Sequence, residues 1–156
     1  MDIKPYYKTS DGKVVELEQK DELKLYYKKI VELVIPDGCR EVDCHGNQLI
    51  ELVVTDGCEL VSCYNNKLKK LIIPNGCRGI GCSNNELKEL IVPNGCKRVW
   101  CNNNQLKELI IPDDCRSVYC MVNQIKELII PDADVVWADL KSVTVLNKVK
   151  ELDLWI

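Results

Sequence analysis

The stretch LKELIVPNGCKRVWCNNNQ, residues 87–105, decides the fold because it recurs along the chain. Nineteen residues earlier stands LKKLIIPNGCRGIGCSNNE, residues 68–86, and nineteen residues later stands LKELIIPDDCRSVYCMVNQ, residues 106–124. Further copies begin at Ile30, Leu49 and Ile125. A fixed period of this length is typical of solenoids, in which each repeat forms one coil and neighbouring coils bury a shared core.

Each copy carries the same residue types at the same positions. Numbered from its first cysteine, the unit reads C-x-x-V-x-C-x-x-N-x-L-x-x-L-x-I-P-x-G. In the Val-x-Cys segment apolar and variable residues alternate, as they do in a strand with one buried face. Pro followed by Asp or Asn and then Gly indicates a turn. The nineteen residues of the unit therefore hold two short extended segments and their turns, and they leave no room for a helix.

The segment C-x-x-V-x-C-x-x-N-x-L resembles the leucine-rich repeat L-x-x-L-x-L-x-x-N-x-L, with cysteine in two leucine places. The match covers roughly residues 20–156 and is closest to the short, helix-poor repeats of bacterial proteins. It implies a β-rich, horseshoe-shaped solenoid of about seven turns with two parallel sheets and little or no helix. It also implies that the asparagine at position 9 forms a hydrogen-bonded ladder between turns, through Asn47, Asn66, Asn85, Asn104 and Asn123.

The second half of the unit leaves one question open. The phrase L-x-x-I-x-I-P resembles another bacterial repeat class, in which that segment is the concave strand. The sequence therefore does not determine which of the two sheets is the binding face.

The ends of the chain depart from the period and are interpreted as caps, which solenoids require. Residues 1–19 are predicted to form a hairpin around Asp11 and Gly12. Residues 20–139 are assigned to the repeats, and residues 140–156 to a last degenerate repeat with a C-terminal cap.

The alignment of the last repeat depends on a longer spacing. Leu140, Val143 and Val145 fit positions 1, 4 and 6, but Leu140 lies twenty-five residues after Cys115. We therefore expect residues 131–141 to form a longer connection with a helical turn. Residues 150–156 are then expected to close the second sheet.

Composition narrows the class of protein. Of 156 residues, 46% are apolar, so the chain is not expected to be disordered. A net charge of −3 argues against a nucleic-acid binder, and no apolar run is long enough to predict a membrane-spanning helix. The first residues lack the apolar core of a signal peptide. We expect a cytoplasmic protein, with secretion as an effector without a classical signal left open.

The ten cysteines all lie inside the repeat, where they are interpreted as small, reduced core residues. The alternative is a thiol ladder that binds metal or senses redox state, although a straight column suits the tetrahedral preference of zinc poorly. No phosphate loop, catalytic carboxylate pair or zinc signature occurs. His45 lies beside Cys44, which points inward, so no Cys–His nucleophile is expected. We predict no enzyme, no cofactor and no metal.

One candidate binding site lies on the outward positions of the Val-x-Cys strands, which vary from copy to copy. Arg98, Trp100, Tyr119 and Met121 fall on adjacent rungs, and Trp, Tyr and Arg are enriched at binding hot spots. Beside them, Gly79 and Gly81 predict a dip in the sheet, with Tyr64 on its far wall. These seven residues are the predicted partner-binding site.

A second candidate surface is the Val/Ile stripe at position 15. If positions 14 and 16 point inward, this stripe points outward, and Ile72, Ile91, Ile110 and Ile129 could pair two copies of the chain. The alternative is that these β-branched residues only stabilise strands. The leading prediction is a scaffold that binds a protein partner, of the effector, inhibitor or adaptor type. A self-associating structural protein, as a homodimer, and a thiol-rich metal or redox protein are the alternatives.

Overall fold

The repeat folds into a series of very short strands joined by turns. The computed structural model describes residues 4–129, 134–139, 144–146 and 152–155, and no helix occurs in these ranges. In chain order the strands are β1 (Tyr6–Thr9), β2 (Val14–Glu16), β3 (Glu22–Lys24), β4 (Ile30–Val34), β5 (Glu41–Asp43), β6 (Glu51–Val53), β7 (Leu60–Ser62), β8 (Lys70–Ile72), β9 (Gly79–Gly81), β10 (Arg98–Trp100), β11 (Glu108–Ile110), β12 (Ser117–Tyr119), β13 (Glu127–Ile129), β14 (Val135–Asp139), β15 (Thr144–Leu146) and β16 (Leu152–Trp155).

One side of the solenoid is a parallel sheet of eight strands, here named the front sheet. Its order is β3-β5-β7-β9-β10-β12-β14-β16, so each coil adds one strand beside the last. The pairing is in register: Val99 lies between Ile80 and Val118, and all three are fully buried. The predicted two-sided parallel β-solenoid is confirmed.

The opposite side, here named the back sheet, is divided. In the described residues β6 pairs only with β8, β11–β13–β15 form a separate group, and residues 89–92 form no strand. The front of the solenoid is therefore a continuous sheet, whereas its back is a set of shorter strand groups.

The predicted N-terminal hairpin is confirmed. β1 and β2 pair antiparallel, and Gly12 has a φ of 88° in the turn, where Thr9 N donates to Lys13 O at 2.9 Å. β1 also pairs antiparallel with β4, so that Tyr6 lies beside Val34. The hairpin thus covers an edge of the back sheet that would otherwise expose unpaired backbone groups.

The predicted alignment of the last repeat is wrong. Residues 134–139 contain strand β14 and no helical turn, and Val136 pairs with Val118, a step of eighteen residues rather than nineteen. β15 pairs with β13 in the back sheet, and β16 pairs with β14 in the front sheet, the reverse of the expected order. Leu140 and Val143 lie outside the described residues.

The physical reason for this difference is side-chain alternation. A turn that is one residue shorter still lets Val136 and Ala138 point inward, where they are 0% and 3% exposed, while Trp137 points outward. Val136 takes the place of the valine at position 4 and Ala138 that of the second cysteine. The core therefore continues without the longer connection that the sequence alignment required.

The asparagine ladder joins each of five successive coils to the one before it. In each turn the side-chain Oδ1 accepts from a backbone N–H seventeen residues earlier, at 2.9–3.1 Å. The Nδ2 group donates to the carbonyl of the cysteine three residues earlier and to the carbonyl on the preceding coil, at 2.7–3.1 Å. The residues are Asn47, Asn66, Asn85, Asn104 and Asn123.

Position 8, just before each ladder asparagine, adopts a left-handed backbone conformation. Its φ lies between 52° and 67° at Tyr27, Gly46, Asn65, Asn84, Asn103 and Val122. Asn and Gly tolerate this region, whereas a β-branched residue is strained there. The three asparagines also bond to one another: Asn84 Nδ2 donates to Asn65 Oδ1 at 2.8 Å, and Asn103 Nδ2 to Asn84 Oδ1 at 2.7 Å. Val122 is therefore a strained position at the end of this row.

We predict that Val122→Asn raises the free energy of unfolding by about 1–2 kcal/mol, because it removes left-handed strain from a β-branched residue. Chemical denaturation monitored by circular dichroism would measure the change. Val53→Asn is the matched control, since Val53 is also exposed but lies in strand β6, where asparagine is disfavoured. A Val122→Asn protein that is no more stable than wild type would contradict the assignment of strain.

Candidate binding groove

The outward side chains of the front sheet form columns that run along the solenoid axis. Each strand presents positions 3 and 5 outward, and position 7 follows directly after it. Because the strands pair in register, the same position on successive coils is stacked, as Gly81, Trp100 and Tyr119 are. The position 5 column contains Lys24, Asp43, Ser62, Gly81, Trp100, Tyr119 and Trp137.

Three aromatic rings stack at the C-terminal end of the position 5 column. The centroids of Trp100 and Tyr119 are 6.1 Å apart with an interplanar angle of 16°. Those of Tyr119 and Trp137 are 6.1 Å apart at 14°. We name these three residues the C-terminal aromatic stack.

A second stack lies on the position 7 column, nearer the N-terminus. His45 lies between Tyr26, at a centroid distance of 5.2 Å, and Tyr64, at 4.3 Å, with interplanar angles of 16° and 9°. Its Nδ1 lies 2.6 Å from Asp43 Oδ1, and the ring of Tyr27 contacts it edge-on at 4.9 Å. We name Tyr26, His45 and Tyr64 the N-terminal aromatic stack. His45 is fixed on both faces and at one nitrogen, which favours a structural role.

A groove of about 380 Å³ separates the two stacks. Gly79 and Gly81 form its floor. Leu60 and Tyr64 line its N-terminal wall, and Trp100 lines its C-terminal wall. Leu60 and Trp100 are 47% and 38% exposed, which is high for residues of their size. Strand β9 lacks side chains at both outward positions, and this absence creates the groove.

The structure brings together four of the seven predicted partner-binding residues as lining of the groove: Tyr64, Gly79, Gly81 and Trp100. Tyr119 stacks behind Trp100, and Arg98 pairs in register with Gly79 beside the groove. Met121 is partly buried one coil further, where its N–H donates to Asn102 Oδ1 at 2.8 Å. It does not reach the groove.

Sequence reasoning missed several residues of the site. Leu60, Ser62 and Ser83 line the groove although their residue types gave no signal. Trp137 was missed because it was placed in a connection. Matching Val135-Val136-Trp137 to Ser117-Val118-Tyr119 with a step of eighteen residues would have placed it in the aromatic column.

Charged groups of opposite sign lie at the two ends of the groove. Glu41 lines it on the N-terminal side, and Arg98 is exposed on the C-terminal side. Neighbouring charges are mutually paired: Lys24 with Glu22 at 3.1 Å, and Arg40 with Glu59 at 3.0 Å. In the part of the chain that the structure describes, neither Glu41 nor Arg98 forms a salt bridge.

The ten cysteines are free and buried, at positions 1 and 6 of the coils. Burial raises the pKa of Cys44, Cys58, Cys82 and Cys120 to about 12, and that of Cys77 and Cys96 to about 11. The position 1 thiols donate to the carbonyl two residues ahead, at 3.2–3.7 Å. Such thiols are poor nucleophiles because the thiolate is the reactive form.

The Val/Ile stripe points away from the core on the back sheet. Val53, Ile72, Ile91 and Ile110 are 49%, 44%, 82% and 61% exposed, while Ile129 is half-buried. The leucines at position 14 face inward and are at most 9% exposed. The stripe is therefore the apolar surface of the back sheet.

Neither a metal-binding cluster nor a membrane-spanning helix occurs within the described ranges. No group of three or more His, Cys, Asp and Glu side chains is arranged there to hold a metal ion. No helix of those ranges is long and apolar enough to cross a membrane.

Comparison with solved structures shows a close likeness to YopM from Yersinia enterocolitica WA-314, a leucine-rich-repeat protein, with a TM-score of 0.65. The fold is that of a leucine-rich-repeat solenoid. The aligned residues are 22% identical and cover 77% of this chain, which spans about 30% of the YopM chain. At this identity the likeness concerns the fold alone.

Comparisons at the level of sequence gave no match. No protein-family model matches the chain, and no curated protein matches it.

We predict that the cysteines of the leucine-rich-repeat core resist alkylation by iodoacetamide at pH 8, because burial keeps them protonated. All ten should react once the protein is unfolded in guanidinium chloride. Mass spectrometry would count the modified residues. Lys88→Cys supplies an exposed thiol as a control that should react in the native state. Rapid modification of native Cys82 or Cys101 would contradict the prediction and favour a redox role.

Proposed function

We propose that this chain is a protein-recognition scaffold, and that its front sheet binds a partner protein through the groove over Gly79 and Gly81. The observation that carries the proposal is the arrangement of two aromatic stacks, each ending at the same apolar groove. Exposed Trp and Tyr beside a concave, apolar surface are typical of binding hot spots.

The scaffold favours binding because the site is formed before the partner arrives. Trp100 and Tyr64 are each held by a stacked neighbour, and their strands are held by the asparagine ladder. A preformed surface loses little conformational entropy on association. The side chains at positions 3, 5 and 7 can also vary between coils without a change in the core. Residues that determine binding specificity are therefore different from those that stabilise the fold.

The proposal includes a role without catalysis and a reducing, cytoplasmic location. Folds of this kind are typically non-enzymatic scaffolds. The thiols are poor nucleophiles for the reason given above, and His45 is engaged by Asp43 and two tyrosines. Ten unpaired cysteines suit a compartment that keeps thiols reduced. Delivery from the cell as an effector is compatible with the same structure.

The test of this function is affinity capture from a lysate of the native source, followed by mass spectrometry. We expect at least one protein that binds wild type and is lost with Trp100→Ala/Tyr119→Ala, since hot-spot truncations weaken binding by roughly thirtyfold or more. Ile91→Lys/Ile110→Lys is the control, because it changes two exposed residues on the back sheet. Circular dichroism would establish that all three baits are folded. A partner retained by the Trp100 variant and lost from the back-sheet variant would contradict the proposed face.

A second candidate function, self-association, is favoured by the exposure of the Val/Ile stripe, at 82% for Ile91 and 61% for Ile110. Contiguous exposed apolar residues on a sheet often mark an interface. Flanking lysine and glutamate side chains, such as Lys88 and Glu89, would form the polar rim of such an interface.

This second candidate predicts a dimer at high micromolar concentration, which Ile91→Lys/Ile110→Lys should dissociate by placing charge in the apolar contact. Sedimentation equilibrium would measure the mass of both proteins. A wild-type protein that stays monomeric throughout that range would exclude the homodimer.

A further inference from the structure

The groove lies where both aromatic stacks are interrupted. One face of Trp100 lies on Tyr119, and the next residue of its column in the other direction is Gly81, which has no side chain. One face of Tyr64 lies on His45, and the next residue of its column is Ser83, which is too small to cover the ring. Two uncovered aromatic faces therefore border the same space.

The space over Gly81 fits one planar ring. Tyr64 follows β7 and Trp100 ends β10, so they lie two coils apart, roughly 9.6 Å along the solenoid axis, and they are also offset by two residues along the strand direction. A ring stacked on the free face of Trp100, at a centroid separation of about 4.5–7 Å, would lie over Gly81 in the place of the missing side chain. Tyr64 would border that ring from the side.

The floor of the groove is open to such a group. A Cβ atom built on Gly81 would lie 3.6 Å from Val61 O, an ordinary contact, so its place is unoccupied and accessible. By contrast, a Cβ on Gly79 would meet Leu60 Cδ2 at 2.9 Å. The free space is therefore concentrated over Gly81, between the two rings.

Glu41 and Arg98, which form no salt bridge with any residue that the structure describes, add polarity along the axis of the groove. Glu41 lies one coil before Tyr64, and Arg98 lies one coil after Gly79. An extended segment rises about 3.3 Å per residue, so residues two positions from the inserted ring lie within reach of both charges. Complementary charges fix the register of a bound segment.

On the basis of the proposed function, we propose that the groove binds an extended segment of the partner protein that inserts a planar aromatic side chain between Tyr64 and Trp100. A basic residue of the same segment faces Glu41, and an acidic residue faces Arg98. The inserted ring extends the C-terminal aromatic stack by one member, over Gly81.

Synthetic peptides test this chemistry directly. The probes are acetyl-Lys-Ser-Trp-Ser-Asp-amide, the same peptide with reversed sequence, and both peptides with cyclohexylalanine in place of tryptophan. Amide chemical shifts in two-dimensional NMR would report binding. We expect one tryptophan peptide to shift Gly79 and Gly81, and its cyclohexylalanine analogue to bind about threefold to tenfold more weakly, because a puckered ring cannot stack flat on Trp100.

Gly81→Val fills the groove with a residue that suits a strand, and it should weaken binding of the tryptophan peptide at least about tenfold. Ser117→Val is the matched control, since it adds apolar bulk at an outward position two coils from Gly79. Glu41→Gln should weaken binding of the tryptophan peptide, which carries lysine and aspartate, about threefold. It should leave binding of the uncharged N-acetyl-tryptophanamide unchanged. Thermal melts would establish that the three variants are folded.

The outcomes separate the two proposals. Equal binding of the tryptophan and cyclohexylalanine peptides would overturn the inserted aromatic ring. An absence of peptide binding at millimolar concentration would also overturn the inference. Capture of a protein partner that depends on Trp100 would then still support recognition by the front sheet. Peptide binding that Gly81→Val leaves unchanged would place the site outside the groove.

Discussion

The structure depends on the asparagine at position 9 of five successive coils. Its side chain accepts from a backbone N–H at the bend and donates to carbonyls of its own coil and the preceding one, at 2.7–3.1 Å. Without these bonds the turn after each front strand would leave buried backbone groups unpaired, which costs about 1–3 kcal/mol for each group. No buried side-chain polar atom of the described residues lacks a partner. The ladder thus makes a tight coil compatible with a dry interior.

The ladder also sets the geometry of the surface. It holds successive front strands in register, so outward residues form columns, whereas the back of each coil has no equivalent set of bonds. The front sheet is accordingly continuous over eight strands, and the back sheet is interrupted at residues 89–92. On the continuous front sheet, the strand with two glycines forms a groove between walls that include Tyr64 and Trp100.

Cysteine suits this scaffold for a related reason. A coil of nineteen residues has a narrow interior, and a small apolar side chain at positions 1 and 6 fits it without displacing the leucines of the back sheet. The position 1 thiols bond to nearby carbonyls, which further satisfies the backbone. The raised pKa values follow from this burial and mark the thiols as packing groups.

The sequence by itself determined the period, the two-sided parallel solenoid and the asparagine ladder, because these follow from residue types that recur at fixed positions in successive copies. The hairpin cap was predictable from a local turn signal at Asp11 and Gly12. The sequence also placed Tyr64, Gly79, Gly81 and Trp100 on neighbouring columns of one face. The tertiary structure alone decided the eighteen-residue step that brings Trp137 onto the stack and the break in the back sheet. These depend on how whole coils pack against one another. The sequence of a single coil does not show that an eighteen-residue step between coils keeps Val136 and Ala138 buried.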